Sequence, residues 1–495
     1  MDPPERRLST SSSSSGESSP ILSHFNSSTS LILVHDDEEP SSPFDFRDDD
    51  DDDEPESQDL EIRRHFSPPM APSLVFLYLL SPYLKLGALF LPDTQHPLKY
   101  GIPLLLSVAV LSAFSRQIWY MLARYMRKAD LEDIVLDAFA LGRGKERRRS
   151  WLRSLVRCST GMLRVLLAVI YLRESVHILL PLLPADLPLP PRLVLTAAFA
   201  VALLPLVSAQ SLGSKRVVYA TWTSIATYII WFLCVAVAHS NGTLEVNPSW
   251  LRMGTFWQGF TTTAFAFTSS STLPLYASLR AGAPPEVLSK SSLSRSFRTL
   301  SIISVAVGGC FTLPLIFFTA HPNATTSQDP APLRLKLAIA VFNSLTLLLA
   351  IPSVLITTPT LPIPERLRRA TLSKYLALTL TVALSLVPTR IARVLSDILM
   401  ASACASTFFL PAFMHVTTHF FKRPLSIVMP ARPNSHSSHE PMPAEADELL
   451  QRKERALQKR QFRKRLIWDV GVWVLLLPVS GGGFVWGAGR LAGKW

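Results

Sequence analysis

Residues Phe265–Tyr276 read FAFTSSSTLPLY: four consecutive hydroxyl residues, Thr268 to Ser271, set in an apolar run and followed by Pro274. Inside a bilayer an unpaired backbone group is costly, so a spanning helix is interrupted only where protein or a water-filled cavity receives the freed groups. Pro274 cannot donate to the helix ladder, and the hydroxyls before it can bond freed carbonyls. A second stretch, Ser81–Pro92, reads SPYLKLGALFLP and carries Pro82, Lys85, Gly87 and Pro92. It too is predicted to be a broken helix.

The composition around these stretches belongs to a membrane protein. Of 495 residues, 48% are hydrophobic and 17% charged. The apolar residues come in long runs rather than amphipathic stripes, and a run of about 18 or more is a candidate spanning helix. The net charge of +12 conceals a split: residues 1–66 hold 18 acidic and 5 basic side chains, a net of −13, and the remainder carries +25. The basic residues cluster between apolar runs, which points to positive-inside loops rather than nucleic-acid binding. Cys158, Cys234, Cys310 and Cys404 all fall in apolar segments, so neither a disulfide framework nor a zinc site is expected. The first apolar run starts after residue 70, so no cleavable signal peptide is expected.

Eleven spanning segments are predicted. They are 71–91, 102–123, 155–183, 193–212, 217–239, 253–276, 300–320, 335–357, 372–387, 394–421 and 466–486. The domain reading follows: a disordered acidic, Ser-rich cytosolic tail over 1–66, a core over 71–421, a cytosolic loop over 422–465, and the last span with a short C-terminus over 466–495. Ser11–Ser15 and the aspartate run Asp48–Asp53 make the tail low in complexity. Residues 443–465 read as a helix with an acidic start and a basic end, suited to the helix dipole or to anionic headgroups.

Loop charge sets the orientation. The 2–3, 4–5, 6–7, 8–9 and 10–11 loops are basic, and they share one side when the N-terminus is cytosolic. Arg390 and Arg393 in the 9–10 connection are a mild violation. Glycosylation acceptor patterns at Asn241 and Asn323 fall in the 5–6 and 7–8 loops, both on the opposite side. The C-terminus is then luminal or extracellular.

The broken segments 1 and 6 are five apart. A five-plus-five inverted repeat would make them equivalent and leave segment 11 as an addition. Paired discontinuous helices in matching halves are the sequence pointer to a transporter's binding site, where half-helix N-termini face an anionic group.

Several stretches resemble the amino acid/auxin permease family, the eleven-helix amino acid transporters that include fungal vacuolar ones. FAFTSSSTLPLYASLR is similar to the family's sixth-helix pattern, an FAF core followed by small or polar residues and then L-P-I-Y. RIARVLSDILMASACASTFFLPAFMH resembles the tenth helix, and LLPLVSAQSLGSKRVVYATWTSIATYIIWFL resembles helices four and five. The resemblance covers roughly 87–421. It implies an all-α, LeuT-like fold and secondary transport of amino acids driven by a proton or sodium gradient. The family's first helix usually reads G-x-G-x-L-x-x-P; here Lys85 replaces the first glycine, while Gly87 and Pro92 remain. Lys85 then pairs with a carboxylate, snorkels to an interface, or blocks the site. The expected substrate contacts are Lys85, Gly87 and Ala88 on one side, with Phe267, Thr268, Ser269, Ser270 and Ser271 opposite.

Ionisable groups at membrane depth are functional candidates by default. Segment 3 carries Arg173, Glu174 and His177, read either as a proton-relay or substrate site centred on Glu174 or as interfacial residues. Asp397 beside Arg393 and Asp469 beside Arg465 read as structural pairs, and His415 and His419 as interfacial. In segment 8, Asn343, Ser344 and Thr346 offer oxygens to a sodium ion or form interhelical hydrogen bonds. VSGGGFVWGAG, from Val479, suits close helix packing. No catalytic triad, metalloprotease motif or P-loop is present, so no enzymatic activity, metal or cofactor is expected. The partners expected are an amino acid, a proton or sodium ion and membrane lipids. The rival expectation is a transport-deficient relative acting as an amino acid sensor or scaffold. A vacuolar membrane is expected over the plasma membrane.

Overall fold

The apolar runs fold as helices, and every regular element among the described residues is helical. The computed structural model describes residues 69–94, 98–126, 128–140, 146–183, 190–242, 255–269, 271–281, 291–318, 332–359, 370–418 and 468–491. All of them belong to one unit, Phe46–Trp495. The acidic tail, the 443–465 helix, Asn323, Ser270 and His419 lie outside the described residues.

Segment 1 is α1 (Pro72–Leu80), a 3-10 turn over Ser81–Leu84 and α2 (Leu86–Leu89). Segment 2 is α3 (Leu98–Met126). A short amphipathic helix, α4 (Leu131–Phe139), precedes α5 (Glu146–Leu179), which is segment 3. Segments 4 and 5 are α6 (Pro191–Val207) and α7 (Lys215–Ser240). Segment 6 is split into α8 (Thr255–Ala266) and α9 (Thr272–Ala281). Segment 7 is α10 (Ser291–Phe318), and segment 8 is α11 (Leu333–Leu348) with α12 (Ile351–Ile356). Segment 9 is α13 (Ala370–Ser385). Segment 10 is α14 (Thr389–Cys404), a π-helical turn over Ala405–Phe409 and α15 (Leu410–Val416). Segment 11 runs from Trp468 through a π-helical turn, Leu475–Gly481, into α16 (Gly482–Leu491).

Among the described residues, 8 helices are long and apolar enough to cross a membrane, in segments 1, 2, 3, 5, 7, 8, 10 and 11. α6 and α13 are apolar but shorter. Outward positions stay apolar where water would penalise them: Val110 is 67% exposed and Val201 65%. A soluble surface does not carry such faces over helix after helix. The chain is a polytopic helical membrane protein.

Both predicted breaks are present. Lys85 adopts an extended conformation that ends the 3-10 turn and starts α2. Between α8 and α9 the chain leaves helical geometry from Phe267. Pro274 falls in the first turn of α9, where a missing N–H leaves no ladder bond unmade. It therefore starts the second half-helix rather than cutting through a continuous one. Segment 8 repeats the device: a turn at Leu349–Ala350 precedes α12, with Pro352 in its first turn.

Several boundaries differ from the sequence expectation: segment 7 starts at Ser291 rather than Leu300 and segment 10 at Thr389 rather than Val394. Segment 3 starts at Glu146 rather than Leu155, because its charged first turns continue the helix as a largely exposed extension, and α5 docks on α4 just beyond them. Arg157 makes a two-pronged ion pair with Glu132 there, with bonds of 3.0 and 2.8 Å. Segment 4 ends at Val207 rather than Leu212. The following turn is held by side chains from elsewhere: Tyr78 donates to Leu212 O (2.6 Å) and Lys374 to Ala209 O (2.6 Å).

The helices pack in two groups. In one, α10 lies against α1 and α3, α9 against α1 and α3, and α2 against α8, so segments 1, 2, 6 and 7 gather together. In the other, α11 and α13 lie against α5, and α12 and α13 against α6, gathering segments 3, 4, 8 and 9. Segment 5 packs on segment 8, and segment 10 on segment 3. Segment 11 approaches segment 2, where the Trp468 and Phe114 rings meet tilted, with centroids 4.6 Å apart. Gly471 leaves room there for the Phe114 ring.

Candidate functional site

The two breaks meet. A Cβ added at Gly87 would overlap the backbone of Ala266, so the start of α2 and the end of α8 touch at a point only glycine permits. Beside that contact lies a cavity of about 100 Å³, several times the roughly 10–15 Å³ that one water requires. Segment 1 contributes Ser81, Lys85 and Gly87 to its wall, and segment 6 contributes Phe265, Thr268, Ser269 and Ser271. Leu163, Arg164, Leu167 and Tyr171 come from one face of α5. Ser353 and Thr357 come from segment 8, and Ser406 and Thr407 from segment 10.

Arg116, in the middle of α3, is 1% exposed and holds the first helix group together. Its Nη1 donates to Ser304 Oγ in segment 7 (2.9 Å). Its Nη2 donates to Leu79 O in segment 1 (2.9 Å) and to Ser269 Oγ in segment 6 (3.0 Å). The guanidinium also lies 4.5 Å from the centre of the Tyr83 ring. One side chain thus ties all the members of its group and takes up a carbonyl just ahead of the first break. Ser112 adds a parallel link, donating to Phe267 O (2.8 Å) and lying 3.1 Å from the Tyr83 hydroxyl.

Each break is also bonded across to a helix outside its group. Lys85 Nζ donates to Ser224 Oγ in segment 5, and Ser224 donates onward to Thr346 O in segment 8 (2.8 Å). Ser269 N donates to Thr407 Oγ1 in segment 10 (3.1 Å), and Ser115 donates to Thr407 O. Lys85 is 3% exposed, with its ammonium bonded to segment 5.

No protein-family model and no curated protein matches the chain.

The geometry sorts the residues singled out from the sequence. Lys85, Gly87, Thr268, Ser269 and Ser271 line the cavity. Ala88 and Phe267 are buried behind its wall; the Phe267 ring packs on Tyr83 at 5.4 Å. Ser270 lies outside the described residues. Ser344 is committed to a reciprocal clasp with α5, donating to Ser175 O (3.0 Å) and accepting on its own carbonyl from Ser175 Oγ (3.2 Å). Thr346 lies two hydrogen bonds from Lys85, through Ser224. Asn343 Oδ1 is buried without a hydrogen bond to any described residue. Glu174 does not line the cavity; it interacts with Arg173, whose Nη1 reaches Val387 O at 3.4 Å. His177 and Asn241 are exposed.

Sequence reading missed Arg116, Arg164, Ser224 and Thr407. The two arginines did carry a signal, since Arg116 is the one charge in its apolar run and Arg164 the one charge between Arg157 and Arg173. The serine and threonine carried none, because hydroxyls are ordinary in membrane helices.

Proposed function

We propose that the protein is a secondary active transporter of amino acids, of the amino acid/auxin permease type that its motifs resemble. The observation that carries the reading is the meeting of two helix breaks, five segments apart, at one cavity whose mostly apolar wall carries Lys85, Arg164 and several hydroxyls. Such breaks expose backbone donors and acceptors to a solute that has both an ammonium and a carboxylate.

The contact pattern supports a LeuT-like, five-plus-five arrangement. Segment 1 packs on 7 as 2 packs on 6; 3 packs on 9 as 8 packs on 4; 5 packs on 8 as 10 packs on 3; and 1 packs on 5 as 6 packs on 10. Every contact in that series has its counterpart five segments on. Counting the two shorter helices and the split segment 6 gives eleven spans, with segment 11 outside the repeat. The group tied by Arg116 is the body that rocks, and segments 3, 4, 8 and 9 are the frame. Coupling is to a proton or sodium gradient. The N-terminus is cytosolic, the C-terminus luminal, and the membrane vacuolar.

Purified protein in vesicles should accumulate at least one radiolabelled amino acid under an imposed gradient. A screen of all twenty in both orientations that finds no uptake would sink the reading. The bond from Lys85 to Ser224 favours one second reading, because it fastens the moving group to segment 5. In that case the protein is a sensor that binds an amino acid without flux, and equilibrium binding with no counterflow would distinguish it.

A further inference from the structure

The cavity wall is electrically one-sided. Its charged side chains are Lys85 and Arg164, and no Asp, Glu or His is among the described residues that line it. Lys85 is engaged with Ser224. Arg164 makes no hydrogen bond or ion pair with any described residue, although it sits in a spanning helix. It is the only charged residue between Arg157 and Arg173, which places it roughly 10 Å along the helix from the first and 14 Å from the second, at 1.5 Å per residue. It is one of the residues that line the cavity.

The nearby acids do not answer it. Glu174 lies about 15 Å further along α5 at that rise and interacts with Arg173. Asp397 is on α14, two residues from the wall residue Leu399, and so about 160° around the helix from it. Arg116, on α3, shows what a bonded guanidinium looks like here, with both terminal nitrogens donating. A planar five-donor cation left unpaired at membrane depth is a site waiting for a carboxylate.

We infer that the transported solute is an acidic amino acid, glutamate or aspartate, its side-chain carboxylate held by Arg164. This rests on the amino acid transport reading. The α-carboxylate meets the N–H groups and Lys85 at the first break. The α-ammonium meets hydroxyls and carbonyls at the second, where Thr268 and Ser271 line the wall. A neutral amino acid leaves Arg164 unpaired, and a cationic one adds a third positive charge.

The test is uptake into proteoliposomes of wild type, Arg164→Gln and Arg164→Lys, with glutamate, aspartate, glutamine, lysine and succinate as labelled solutes. Wild type should prefer glutamate or aspartate over glutamine by about tenfold or more, the range expected when a buried charged partner is left unpaired. Arg164→Gln should abolish that preference while glutamine uptake persists, and Arg164→Lys should keep part of it. A wild type that prefers glutamine or lysine overturns the acidic-substrate inference but leaves amino acid transport standing. So does an Arg164→Gln protein with unchanged preference. Should Arg164→Gln not fold, the wild-type preference and the Arg164→Lys ratio still decide. Uptake of succinate alone, or of nothing, overturns both readings.

Discussion

Arg116 and Ser269 are 3.0 Å apart, and the nitrogen that joins them also reaches Leu79 O. A guanidinium from segment 2 therefore bridges the end of α1 to the gap between α8 and α9. Each break leaves polar backbone in a low-dielectric setting, and a charged donor placed between them serves both. The same side chain that is expensive to bury alone becomes the tie of the group it is buried in.

Arg116→Ala should be the most destabilising single change in the bundle. It removes 3 hydrogen bonds, each worth on the order of 0.6–1.7 kcal/mol in a membrane protein. The loss expected in a detergent melt is about 2–5 kcal/mol. Arg116→Lys, with one compact ammonium, should recover only part of it. A melt indistinguishable from wild type would show that the tie is not structural.

Gly87→Ala places a methyl group in the backbone of Ala266. Overpacking of this kind costs about 1–3 kcal/mol, and here it also pushes the two breaks apart. Adding Ala266→Gly should rescue little, because the obstructing atoms include the Ala266 Cα and N. Full rescue of stability and uptake by that second change would contradict the close approach.

Lys85→Met keeps most of the stem and removes the ammonium. Ser224 retains its bond to Thr346 O, so the fold should hold within roughly 1 kcal/mol, as for other volume-conserving swaps. Substrate binding should weaken by about tenfold, the loss of one charged contact. Faster uptake at unchanged affinity would instead mark Lys85 as a latch.

Ser353 and Thr357 belong to the end of segment 8 that the loop charges assign to the cytosol. Cysteines at these positions, in a protein lacking Cys158, Cys234, Cys310 and Cys404, should react with an impermeant maleimide added from the cytosolic side. Labelling from the opposite side alone would invert the proposed orientation.

Much of this was legible in the chain itself. The hydroxyl run at Thr268–Ser271 and the Lys85–Gly87 stretch broke their helices where expected, because helix breaking is a local property of backbone donors and small residues. Pro352 carries the same signal in segment 8, for which no break is expected from sequence. A proline in a helix's first turn and one in its middle look alike until the turn ahead of it is seen. The extension of segment 3 to Glu146 was hidden because its charged turns resemble a loop; they continue a helix that is anchored on α4 just beyond them, through Arg157 and Glu132.

The sequence by itself determined that the chain is a helical membrane protein and where two of its helices fail. Run length and local breaker chemistry suffice for that. It could not say which buried charge is satisfied. Arg116 stands alone in its apolar run and Arg164 is the one charge between Arg157 and Arg173, yet one is bonded by residues 37, 153 and 188 positions away and the other lines the cavity with no partner among the described residues. Satisfying a guanidinium takes acceptors from several helices at once, and only their packing brings those acceptors within 3 Å or leaves the charge for a solute.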